Sequence, residues 1–237
     1  MRRNDPNLPT LRVVAQALGD LREQVVFLGG AVAGLLVTDP LAEGVRATVD
    51  VDAVVKAGRA QFQRMQRELA GRGFREDVDS SVICRWIHRD SGVVFDLMPE
   101  NPDVLGFANR WYPYAVATAQ QVALGEGLHI RLATAVAFVA TKLEAFASRG
   151  RGDVLASHDL EDVLNIVDGR EELVRELAEA SDDVRHAVAR AFADVLARPG
   201  FLDVLPGLIA EPERADVVAD RLWAMADRRE STGEGWA

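Results

Sequence analysis

Two aspartates, Asp50 and Asp52, stand one residue apart in the otherwise apolar stretch ATVDVDAVVK at residues 47–56. A buried carboxylate without a partner is costly, so a chain that keeps two there has a use for them. Side chains alternate between the faces of a strand. Thr48, Asp50 and Asp52 therefore share one face, and Val49, Val51 and Ala53 the other. Residues at i and i+2 lie roughly 6 to 7 Å apart, close enough for both carboxylates to bind one or two divalent cations. Without a cation they repel each other. Asp96, flanked by Phe95 and Leu97 in VVFDLMP, is a third carboxylate interrupting an apolar strand. If its strand neighbours that of the pair, it reaches the same ions. Three acidic residues around two Mg2+ ions suit phosphoryl transfer, in which the metals neutralise phosphate oxygens, activate the attacking hydroxyl and steady the leaving group.

Gly29 and Gly30 end the apolar run VVFLGG and precede a helical segment, AVAGLLV. Bare backbone N–H groups at such a turn, together with a helix N-terminus, cradle phosphate. A Gly-Gly pair alone is more often a plain tight turn than a phosphate site. Its weight here comes from lying one strand-turn-helix-strand ahead of the aspartate pair.

The elements that must position these residues follow from periodicity. Residues 11–21 have apolar positions at helical spacing, 25–30 read as a buried strand, 47–55 as a second strand and 59–70 as a helix. FREDV, SVICRWIHR and VVFDLMP read as three short strands, the last two joined by the turn Asp90-Ser91-Gly92. From about residue 133 the pattern is nearly continuous helix, at 134–148, 158–167, 170–180, 183–197 and 212–228, with glycines 150, 152, 169 and 200 as punctuation. A loop is expected around Asp39-Pro40 and Gly44, and a frayed tail in STGEGWA. The expected fold is α/β (α+β): a mixed sheet with helices in residues 1–115, followed by an α-helical domain in 116–237.

LGGAVAG, RATVDVDAVV and VVFDLMP together resemble the nucleotidyltransferase fold of the DNA polymerase β superfamily, nearest to the AbiEii-like, toxin-type nucleotidyltransferases. The stretch KLEAFASRGRGDVLASHDLEDVLNIV, residues 142–167, resembles the second half of that family, and the likeness covers about residues 20–170. The resemblance implies that Asp50, Asp52 and Asp96 hold Mg2+ (or Mn2+), and that Gly29 and Gly30 form the triphosphate-binding turn. It also implies that Lys142 holds the triphosphate, supported by Asp159 or Asp162. The implied reaction moves a nucleoside monophosphate from a nucleoside triphosphate to a tRNA, a protein or a small molecule, with an antitoxin as an implied partner. Ala31 stands where many members carry a hydroxyl residue, which removes one phosphate ligand. Two alternatives share the fold: a nucleotide-binding protein without turnover, and an antibiotic-modifying nucleotidyltransferase.

Helical spacing gives Lys142 a second reading. Ala135, Phe138, Val139, Lys142, Phe146 and Arg149 form one stripe, so the lysine lies on a mainly apolar face. With no carboxylate one turn away on that stripe, it needs an anionic partner from elsewhere. Plainer roles remain for several groups. Lys142 can snorkel to water, Ser157 or Asp159 can cap a helix with Asp162 in its first turn, and Arg46 can face phosphate or solvent. Trp111, Tyr112 and Tyr114 can stack a base but more readily pack a core.

Composition sets the outer limits. The chain has 237 residues, a net charge of -10 and one cysteine. The length allows one large or two modest domains, and the charge repels polyanions unless a local basic patch intervenes. No intramolecular disulfide is possible, and Cys84 is read as a small core residue within a strand. The four histidines show no zinc spacing. With no apolar run of membrane-spanning length and no secretion signal at the start, the expectation is a cytoplasmic protein without membrane partners.

Overall fold

The computed structural model describes residues 5–42, 45–148 and 153–226. Gly44, Arg149, Gly150, Gly152 and the STGEGWA tail lie outside them. In chain order the elements are α1 (Leu8–Leu18), β1 (Val25–Leu28), α2 (Ala33–Leu36), β2 (Asp50–Val55), α3 (Arg59–Gly71), β3 (Phe74–Glu76), β4 (Arg85–His88) and β5 (Val94–Pro99). They continue with α4 (Pro102–Leu105), α5 (Tyr112–Thr118), β6 (Gln120–Gly125), β7 (Leu128–Leu132), α6 (Ala135–Ser148) and α7 (His158–Gly169). The last four are α8 (Leu173–Glu179), α9 (Asp182–Leu196), α10 (Phe201–Val204) and α11 (Ala215–Ala226).

The seven strands of the described residues form one mixed sheet in the order β3-β4-β5-β2-β1-β7-β6. β2 lies parallel to β5 and antiparallel to β1, so the two aspartate-bearing strands are neighbours at the sheet centre. The fold is therefore mixed α/β, with helices dominating after the sheet. Alternation divides the central strands between two cores. Val25, Phe27, Val51, Ala53, Val55, Phe95 and Leu97 point into the main core, where α1, α6, α7, α9 and α11 also bury their apolar sides. The opposite face carries a smaller cluster of Val26, Leu28, Val54 and Met98 with Tyr112 and Ala115 of α5. Asp50, Asp52 and Asp96 belong to this second face, one or two pleats along from Val54 and Met98.

Several expectations need correction. Residues 116–134 are not helical beyond Thr118, because the hairpin β6–β7 completes the sheet and helices take over only at Ala135. Within that hairpin only Leu124, Ile130 and Leu132 are buried, so the apolar signal at this sheet edge is thin. β2 begins at Asp50, and Val49, expected on the apolar face, is 83% exposed ahead of the strand. Cys84 is buried as expected, but in the turn before β4 rather than in a strand.

Candidate functional site

The parallel register sets Asp52 directly beside Asp96, and Asp50 beside Val94. The three carboxylates thus share one face across two adjacent strands, Asp50 and Asp52 through their spacing and Asp96 through the β2–β5 pairing. Asp96 is only 5% exposed, while Asp50 and Asp52 are half-buried. Antiparallel pairing of β4 with β5 brings Arg85 opposite Asp96. Arg85 Nε and Nη2 donate to Asp96 Oδ1 and Oδ2 at 2.9 and 2.8 Å, and Nη2 also donates to Asp50 Oδ2 at 2.6 Å. This two-pronged bond to Asp96 is the geometry in which guanidinium meets carboxylate most strongly. The hydrogen bond to Asp96 is the largest influence holding the Arg85 pKa above its ordinary value.

The glycine turn lies against the same carboxylates. Gly29 has φ +76° and ψ -177°, a conformation that is essentially glycine's alone. A β-carbon there would fall 1.9 Å from Asp52 Oδ2, so the bare backbone is what lets the turn approach the carboxylate. At Gly30 a β-carbon would meet Thr48 Cγ2 at 2.7 Å and Asp162 Oδ2 at 3.3 Å. Gly29 therefore borders the aspartate trio and Gly30 borders the start of α7. Ala31 is buried in the main core.

α7 and α6 supply the second cluster. Ser157 caps α7 by accepting a hydrogen bond from the Leu160 N–H, which aims the first turn of the helix. Asp159 and Asp162, three residues apart, then share a helix face. Lys142 Nζ lies 3.0 Å from Asp159 Oδ1 and 2.8 Å from Asp162 Oδ2. Burial works against the ammonium, but the charges of Asp162 and Asp159 outweigh it and lift the Lys142 pKa above its ordinary value. Arg46 adds a second positive group 3.7 Å from Asp162 Oδ2. The anionic partners that Lys142 needs thus come from the next helix. α6 is buried nearly all round, not along one stripe as helical spacing predicts, because it packs inside the main core.

The eight residues that spacing and the family resemblance point to lie about the glycine turn: with Gly29 and Gly30 themselves, Asp50, Asp52 and Asp96 are on the Gly29 side and Lys142, Asp159 and Asp162 on the Gly30 side. Arg85 was missed as a site residue. Its signal was an arginine interrupting the otherwise apolar segment around β4, the same kind of anomaly that flagged Asp96. Tyr112 is core, its hydroxyl donating to Met98 Sδ at 2.9 Å, and not a free stacking surface.

Among the described residues, no three His, Cys, Asp or Glu side chains are gathered, as they stand, into a group that could hold a metal ion. The donor chemistry of the trio nonetheless fits a hard divalent ion: three carboxylates on one face, with a cation, the Arg85 guanidinium, already seated between Asp50 and Asp96. No helix of the described residues is long and apolar enough to cross a membrane.

No family model and no curated protein matches the chain. Among solved structures, an antigenic nucleotidyltransferase-like protein from Paracoccidioides brasiliensis is 21% identical, with 88% of this chain and 94% of that one covered at a TM-score of 0.49. The antibiotic-resistance factor ANT(2'')-Ia is 13% identical, with 80% and 93% covered at a TM-score of 0.47. Likeness at this level carries no argument about activity or substrate.

Proposed function

We propose that this chain is a nucleotidyltransferase of the DNA polymerase β type, AbiEii-like in kind, acting in the cytoplasm. An acceptor attacks the α-phosphorus of a nucleoside triphosphate, pyrophosphate leaves, and the nucleoside monophosphate remains on the acceptor. The observation that carries this reading is the in-register pairing of Asp52 with Asp96 beside a glycine turn whose backbone presses on Asp52. The sequence resemblance of the same segments supports it.

Asp50, Asp52 and Asp96 would hold Mg2+ or Mn2+, which when bound neutralises phosphate oxygens and promotes loss of the acceptor proton. The N–H groups of the Gly29-Gly30 turn face the triphosphate. Lys142 supplies fixed positive charge on the Gly30 side, held in place by Asp159 and Asp162 from α7. A tRNA, a protein or a small molecule is the acceptor, and a toxin restrained by an antitoxin is the biological setting this kind implies.

One observation favours a second reading, a nucleotide-binding protein without turnover: Arg85 holds two of the three carboxylates. The two readings separate when the protein is incubated with each α-labelled triphosphate, Mg2+ or Mn2+, and tRNA, protein and aminoglycoside acceptors. Label transfer that falls at least 100-fold in Asp52→Asn is the expected result. Tight nucleotide binding with no transfer to any acceptor would replace the first reading with the second. Transfer that survives in Asp52→Asn would remove the site.

A further inference from the structure

Arg85 is the internal counter-cation of the carboxylate trio. From its position we infer that it competes with the divalent ion for Asp50 and Asp96, so that metal binds weakly to the free protein and tightly only together with nucleotide. The inference rests on the reading of the trio as a metal seat.

Asp50, Asp52 and Asp96 face one spot from neighbouring strands. Three carboxylates so close are mutually repulsive, and in the folded chain the repulsion is relieved by Arg85, whose Nη2 touches both Asp50 and Asp96. A divalent ion entering among the same oxygens must take at least some of them from the guanidinium. It also brings two positive charges next to one that is tethered to β4 and cannot diffuse away. Metal alone therefore gains its contacts against a bond already made and a like charge. A triphosphate changes that balance, because its own anionic oxygens can take up both the ion and the displaced guanidinium. The consequence is thermodynamic coupling: nucleotide raises metal affinity, and metal raises nucleotide affinity by the same factor.

The β4 register explains why Arg85 is suited to this. Arg85 lies opposite Asp96 in the antiparallel ladder, and its side chain is about three-quarters buried beside the trio. Its backbone is fixed by the ladder while its side chain alone crosses to β2. Swinging away from Asp50 thus requires no strand movement.

The test is Mn2+ binding without turnover, followed by the loss of the free-ion electron paramagnetic resonance signal, with the loss caused by the triphosphate analogue alone measured without protein and subtracted. It compares wild type, Arg85→Gln, Arg85→Lys and Asp52→Asn, with and without a non-hydrolysable triphosphate analogue. Arg85→Gln is expected to bind Mn2+ alone at least 10-fold more tightly than wild type, and to gain less from the analogue. Arg85→Lys, which keeps the charge and gives up the fork, is expected between them and carries the comparison if the glutamine variant does not fold. Equal Mn2+ affinity in wild type and both variants, lost in Asp52→Asn, would overturn the competition while leaving the metal seat in place. No Mn2+ binding by any of the proteins, with or without the analogue, would overturn the competition and the metal seat together.

Discussion

At the scale of single residues, the site depends on what Gly29 lacks. A methyl group there would have to displace Asp52 and hold a backbone conformation that costs an alanine about 1 to 3 kcal/mol. Gly29→Ala is expected to lower stability by at least that much in urea unfolding and to weaken triphosphate binding. A Gly30→Ala variant has an ordinary φ and meets Thr48 Cγ2 and Asp162 Oδ2 without added backbone strain, so it should be milder. Lys142 makes a different prediction. Its removal leaves the buried Asp162 to the more distant Arg46 at 3.7 Å, so Lys142→Met should cost up to about 3 to 5 kcal/mol. Adding Asp162→Asn should return part of that loss, which a purely steric role for Lys142 would not explain. Because the folded pKa of Lys142 is lifted, its stabilisation is complete below the unfolded lysine value of 10.5 and is lost as pH rises through the lifted value. The stability gap between wild type and Lys142→Met should therefore be constant near neutral pH and close in strongly alkaline buffer. Burial, then the charges of Asp96 and Asp52, push the Cys84 thiol up to about 12. A thiol-specific disulfide reagent at pH 8 should label it only when the protein unfolds.

At the scale of elements, β1, β2 and β5 were legible because each is a short apolar run, and a carboxylate inside such a run is conspicuous. Which strands would be neighbours was not written locally, and the parallel pairing of β2 with β5 is what turned three separate anomalies into one site. Arg85 escaped for the same reason, since its partner is set by the β4–β5 register and not by sequence distance. The β6–β7 hairpin escaped because an edge strand with one buried residue leaves little periodic signal, and because Gly125, Glu126 and Gly127 all turn with positive φ. α6 was legible as a helix but not as a fully buried one, since small alanines on all sides read the same wherever they point. The strand that carries Asp96 also offers a test of how firmly the sheet fixes the site. Phe95 is fully buried and its ring lies 5.6 Å from that of Phe74. Phe95→Ala should cost about 3 to 5 kcal/mol by urea denaturation. It should also loosen Asp96, raising the nucleotide concentration needed for half-saturation.

At the scale of the whole molecule, two domains were expected, yet one buried core runs from Leu8 of α1 through the sheet to Met225 of α11. Trp86 sits on β4 and Trp223 on α11, so tryptophan fluorescence samples both the sheet and the last helix. Thermal unfolding followed by fluorescence and by far-ultraviolet circular dichroism should therefore give coincident single transitions. Two separated transitions would mean that sheet and helices fold as independent units. The continuous core is also what brings α7 to the Gly30 turn, so that the aspartate trio and the Lys142 cluster flank one backbone segment. The central claim is that this segment seats a metal-bound nucleoside triphosphate, and the most direct measurement is anomalous diffraction from crystals grown with Mn2+ and a non-hydrolysable triphosphate. An anomalous peak bonded to Asp50, Asp52 or Asp96, with the triphosphate lying along Gly29 and Gly30 toward Lys142, is the expected result. A nucleotide bound elsewhere, or at this turn with Arg85 still clasping Asp50 and Asp96 and no ion beside them, would contradict it.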